Sequence, residues 1–167
     1  MTDESKARKG IVAEARWGAA NEDPLHYTQD SRRDDWLKGD VDKHVTLPTW
    51  MDCSSFATYC IWRATGGNPA LDPSGYHYSY VGNSTSIYNH AKAHGLLVDR
   101  SEAKRGDLCV WPGRHVSILT QSPKKKGLAA SVVSHGQESG PYKLDVSDEL
   151  SLGTVYFVRT IPKDYSM

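Results

Sequence analysis

Hydrophobic positions recur at helical spacing through the first half of the chain and in short β-rich runs through the second. Ala7, Ile11, Val12, Ala15 and Ala19 share one side of a helix predicted over residues 3–20, with Lys6, Lys9 and Glu14 elsewhere and Gly10 weakening it. Residues 21–50 are rich in Asp, Arg, Pro and Gly with scattered apolar positions, which predicts a long irregular connection. Loops of that length in a compact domain often carry function, so the segment His26-Tyr27-Thr28-Gln29 is a candidate to line a cleft. Behind Asp52, a potential N-cap, Cys53, Phe56, Ala57, Cys60, Ile61 and Ala64 return at helical spacing. Gly66-Gly67-Asn68-Pro69 ends that helix, and Asp72-Pro73-Ser74-Gly75 is turn chemistry. Tyr76, Tyr78 and Tyr80 alternate, which reads as a short extended segment with one half-buried face or as an aromatic wall for substrate. Asn83 or Ser84 caps a further helix carrying Ile87, Tyr88 and Ala91, closed by Gly95.

The period then changes. Residues 108–111, 115–120, 129–134 and 155–161 are β-rich runs separated by turn signals, which predicts an antiparallel sheet. Helices before strands define an α+β class, with N-terminal helices packed on a C-terminal antiparallel sheet. At 167 residues the chain is read as a single domain spanning residues 1–167, without internal repeats or a second domain. Lysines 124–126 read as a solvated hairpin tip.

Composition narrows the chemistry. Twenty basic and twenty acidic residues give a formal net charge of zero, so no nucleic-acid or anionic-membrane partner is expected. The polar start of the chain lacks the apolar core of a signal peptide, which predicts synthesis in the cytosol with no membrane insertion. Three cysteines without paired spacing predict free thiols and no structural disulfide. His90 and His94 stand four apart, but with no Glu between them and no third ligand they read as surface residues; no metal and no cofactor is expected.

Cys53 stands apart because a capped helix start stabilises a thiolate, the reactive form of cysteine. Cys60, two turns on, and Cys109, among Leu, Val and Trp, read as core residues. A thiol nucleophile needs a base. His115 and His135 are equidistant from Lys125, the middle of the proposed turn, so a symmetric hairpin would make them cross-strand neighbours. One imidazole could then take the thiol proton while the other orients it. Singly, each histidine is better explained by a structural or surface role.

Three stretches, Asp52-Cys53-Ser54-Ser55-Phe56, Gly106-Asp107-Leu108 and His115-Val116-Ser117-Ile118, resemble the ordered motifs of NlpC-type cell-wall cysteine peptidases, to which CHAP amidases are near relatives. Ser134-His135-Gly136-Gln137-Glu138 resembles the third motif of phage-encoded members, including endolysins, and the loop at Tyr27 is similar to their tyrosine-bearing loop. Ser55 and Ser117 stand where the family usually has glycine, and the Trp-Gly-Gly run ahead of the cysteine is missing. The resemblance implies a papain-like fold and hydrolysis of an amide bond in peptidoglycan. It assigns the nucleophile to Cys53, the base to His115 and the third polar residue to His135. Tyr27 would line the cleft, with Tyr78 as a further candidate to bind substrate. Asp52 or Ser54 would hold either the substrate amine or the helix start. It further implies a phage lysin, free or carried in a virion, made in the host cytoplasm and acting on the wall by cutting the stem peptide. An N-acetylmuramoyl-L-alanine amidase and a non-catalytic phage structural or wall-binding module are the alternatives.

Overall fold

A computed structural model describes residues 1–123, 131–136, 140–145 and 152–167. Helix α1 (Asp3–Ala20) starts at Thr2, whose hydroxyl accepts from the Ser5 amide at 3.1 Å, with Asp3 and Glu4 in the first turn as the helix dipole favours. It buries Ala7, Ile11, Val12 and Ala15, the stripe set by the apolar period. Its partner is helix α2 (Cys53–Ala64), in which every residue from 54 to 62 is buried, the mark of a helix enclosed on all sides. The two approach closely at Gly18, where an added Cβ would come within 2.3 Å of the Phe56 ring. Helix α3 (Ser84–Ala93) is capped by Asn83, one of the two candidates in its sequence, through a capping box with Ser86.

Strand β1 (Leu25–Tyr27) and strand β2 (Thr49–Met51) form a short parallel ladder, His26 opposite Trp50. Between them runs a 3-10 helix at Ser31–Lys38. The irregular connection expected over residues 21–50 is therefore more ordered than its composition indicated. Trp36 supplies the reason: it is buried, and its indole N–H donates to Ser55 Oγ at 2.9 Å, fastening the connection to α2.

The remaining strands are β3 (Leu97–Val98), β4 (Leu108–Trp111), β5 (His115–Leu119), β6 (Ser131–Ser134), β7 (Tyr142–Asp145) and β8 (Tyr156–Val158). They form one antiparallel sheet in the order β3-β8-β4-β5-β6-β7. The α+β class and the antiparallel sheet are thus as expected; β3 and β7 were not foreseen. Alternation sorts the sheet into two faces. Leu108, Val110, Val116, Ile118 and Val133 join the core shared with α1 and α2, whereas Cys109, Trp111, Leu119 and Phe157 form a second cluster on the far side. The lysines at 124–126, residues 129–130 of the third run and Gln137 and Glu138 of the last motif lie outside the described residues.

Two expectations are corrected. The observed pairs are Ile118 with Val133 and Leu119 with Val132, one residue away from the symmetric hairpin. In that register Gly136, not His135, falls opposite His115. Burial explains the slip: Val133 must share the helix-facing side with Ile118, and moving a strand by one residue would turn it to the other face. The second correction concerns Tyr76, Tyr78 and Tyr80, which do not form an extended segment. His77 and Tyr78 both take left-handed backbone angles, φ 54° and 58°, so the chain coils tightly there. The buried Asp72 carboxylate holds the coil, accepting from the Ser74 amide at 2.9 Å and the Tyr78 amide at 2.8 Å.

The Gly-Asp-Leu stretch has an architectural role. Asp107 Oδ1 accepts from Arg8 Nη1 at 2.6 Å and from the Thr160 amide at 3.1 Å, while Oδ2 accepts from the Lys104 amide at 2.9 Å. Arg8, itself buried, thereby ties α1 to the sheet. Among the described residues no helix is long and apolar enough to cross a membrane.

Candidate active site

Asp52 opens α2 as the sequence indicated, its Oδ1 accepting from the Ser55 amide at 2.8 Å and its carbonyl from the Phe56 amide at 2.9 Å. Cys53 is therefore the first helical residue, and its side chain is half-buried while Cys60 and Cys109 are completely enclosed. None of the three forms a disulfide. Burial pushes the Cys60 thiol well above its ordinary value, so a thiolate there is strongly disfavoured.

Arg33 organises the helix start, and sequence reasoning missed it. Its Nε donates to Asp52 Oδ2 at 2.8 Å and its Nη2 to Asp52 Oδ1 at 3.2 Å, the two-pronged geometry that suits a guanidinium and a carboxylate. The same side chain donates to Ser54 Oγ at 2.9 Å and to the carbonyls of Val81 and Gly82. Within the run Arg32-Arg33-Asp34-Asp35 nothing in the sequence separates it from solvated surface charge. Its neighbour Arg32 is exposed and lies over the Trp50 ring at 4.1 Å. Asp52 and Ser54, both buried, are engaged in holding the helix start, one of the two roles open to them.

Tyr27 lies beside Cys53. Burial first, then the Cys53 sulfur and the Asp52 carboxylate, push its phenol above the ordinary range, while Gln29 Nε2 donates to its oxygen at 3.0 Å. Its ring meets that of His135 edge-on at 5.7 Å, and Phe56, one turn beyond Cys53, meets the same imidazole at 6.0 Å. His135 is fully buried. Its Nε2 lies 3.1 Å from the His26 carbonyl. A carbonyl can only accept, so Nε2 is the donor in this contact.

His115 begins β5 and is half-buried. Its ring lies 5.9 Å from that of Trp111, its cross-strand partner, and covers Gly136, where an added Cβ would be 3.1 Å from its Cε1. The absent side chain of Gly136 is what lets the ring rest there. Alternation places His115 on the Trp111 side of the sheet and His135 on the Val133 side, facing α2. The two histidines thus adjoin through Gly136 at one end of the sheet instead of pairing directly.

Cys53, Tyr27, Asp52, Ser54 and His135 gather around the start of α2, with His115 at the adjoining rim. Tyr78 does not join them. Its hydroxyl is enclosed near Thr65, the residue after α2, about 18 Å along the helix from Cys53 at 1.5 Å per residue. Burial, then Asp72, raises its phenol strongly, and the partly buried ring packs against the core. A cleft of about 490 Å³ opens beside β2, lined by Arg32, Trp36, Val45 and Trp50 among others. No group of three or more His, Cys, Asp or Glu arranged to hold a metal occurs among the described residues. Comparison of the chain with protein-family models, with curated proteins and with solved structures gave no match in any of the three.

Proposed function

We propose that the chain is a cysteine hydrolase that cuts an amide bond of the peptidoglycan stem peptide, in the manner of NlpC-type peptidases with a papain-like fold. The observation that carries this reading is the half-exposed Cys53 on the first turn of a capped helix, beside Tyr27 and within one ring contact of the buried His135. In the proposed reaction His115 takes the Cys53 proton and the sulfur adds to the amide carbonyl carbon. The Cys53 backbone N–H supports the developing oxyanion, since the Ser55 and Phe56 amides are already held by Asp52. The C–N bond then breaks as His115 returns its proton to the leaving amine, and water releases the acid from the thioester, restoring the thiol. His135 orients the base. Tyr27, beside Cys53, contacts the bound substrate.

A second assignment within the same chemistry exchanges the histidines, because His135 is the imidazole on the helix side of the sheet. Replacing each in turn decides it: the base variant loses about a hundredfold or more in turnover, the orienting variant less. Identification of fragments from a defined peptidoglycan separates the two possible bonds, since an endopeptidase divides the stem peptide and an amidase frees it intact from the lactyl group. A phage lysin, acting from outside or carried in a virion, is the setting this activity implies. Cys53→Ala as active as the wild type would remove the reading.

A further inference from the structure

A second cavity, of about 490 Å³, lies outside the cysteine site, between the coil at residues 74–82 and the outer face of α3. Its walls include Tyr76, Asn83, Thr85, Ser86, Asn89 and His90, and among the described residues lining it none is Lys, Arg, Asp or Glu. Thr85 and Asn89, four apart and both exposed, present a hydroxyl and an amide from one helix face. Tyr76 is stacked on the half-exposed Tyr80, ring centres 4.1 Å apart, so an aromatic rim extends outward from the cavity. The left-handed His77 and Tyr78 make this stacking possible by turning the chain within three residues, and Asp72 fixes the turn from beneath.

Such a lining selects by chemistry. Amides and hydroxyls both donate and accept, which suits a ligand bearing many neutral hydroxyl and acetamido groups, and ring faces suit its C–H surfaces. A charged ligand would find no carboxylate, ammonium or guanidinium in the described lining, and burial first, then His94, lowers the His90 pKa. A peptide would require apolar side-chain pockets or an open strand edge, and the cavity walls offer neither. We propose that this cavity binds a neutral N-acetylated saccharide, its rings on Tyr76 and Tyr80 and its polar groups on Asn83, Thr85 and Asn89. Arg33 joins the site to the cysteine helix, because it holds the carbonyls of Val81 and Gly82 at the end of the coil as well as Asp52. A glycan strand seated there would be registered against the start of α2.

The saccharide site goes beyond the hydrolase reading and uses none of its residues. Its test titrates the full chain carrying Cys53→Ala with the tetramer of N-acetylglucosamine, read by calorimetry and by NMR. Saturable binding with Kd of about 0.1–1 mM is expected, weakened about tenfold by Asn89→Ala and by Tyr80→Ala and unchanged by Arg32→Ala in the other cleft. Thr85→Ala, also on the exposed helix face, provides an independent variant if Tyr80→Ala disturbs the coil. Failure to saturate in the millimolar range, equal affinity in the Asn89 and Thr85 variants, or equally tight binding of an uncharged tetrapeptide would overturn the proposal. Binding by a protein that proves inactive on peptidoglycan would keep the saccharide site and remove the hydrolase; cleavage by a protein that does not bind would do the reverse.

Discussion

Two cysteines on one helix, seven residues apart, meet opposite fates. Cys53 on the first turn of α2 is half-exposed beside Tyr27, below the clamp of Arg33 on Asp52. Cys60 is enclosed with Tyr59 and Trp62, and burial pushes its thiol far from ionisation. Residue type and helix are the same, so position alone makes the difference: one thiol faces the dipole and an opening, the other a packed interior. A reactive cysteine is thus defined by what caps and surrounds it.

The largest break in this comparison is expected from substitution. Cys53→Ala should cut peptidoglycan hydrolysis by at least about a thousandfold with an unchanged circular dichroism spectrum, whereas Cys60→Ala should keep turnover and lose only stability. His115→Ala should approach the Cys53 variant in a turnover assay, and His135→Ala should fall short of it. A water-soluble alkylating probe followed by peptide mapping should label Cys53 about a hundredfold faster than Cys60, whose reaction must await an opening of the core. Equal rates would dissolve the distinction. Arg33→Met leaves the nearly buried Asp52 without its clamp and should cost about 2–3 kcal/mol in urea unfolding, which extends the comparison to the helix start as a whole.

The smallest effect belongs to the buried turn. Burial raises the Tyr59 phenol from 10.0 to about 12 and the Cys60 thiol above 9.0. Both groups hold their protons longer folded than unfolded, so their contribution is fully present below about pH 9 and is lost as pH rises. Unfolding midpoints should fall between pH 9 and 11, and Cys60→Ala should flatten that slope.

What the sequence disclosed follows from local chemistry. Helices α1, α2 and α3 could be read because their apolar periods, and at Asp52 and Asn83 their caps, are contained in short windows. Cys53 could be singled out for the same reason. The strand register could not, because it depends on which face Val133 shares with Ile118, a fact of packing between distant segments. Arg33 was invisible because its partners lie 19 residues away at Asp52 and 48 and 49 away at Val81 and Gly82. The tyrosine triplet misled by alternating like a strand while His77 and Tyr78 turn the backbone left-handed, a conformation that side-chain pattern does not announce.

The central claim is that the Cys53 sulfur performs the bond cleavage. It is tested most directly by digesting purified peptidoglycan of known cross-linking with wild-type protein and with Cys53→Ala, and identifying the released fragments by mass spectrometry. Fragments ending at a cleaved amide are expected from the wild type and none from the variant. Equal release by both, or release by neither, would contradict it.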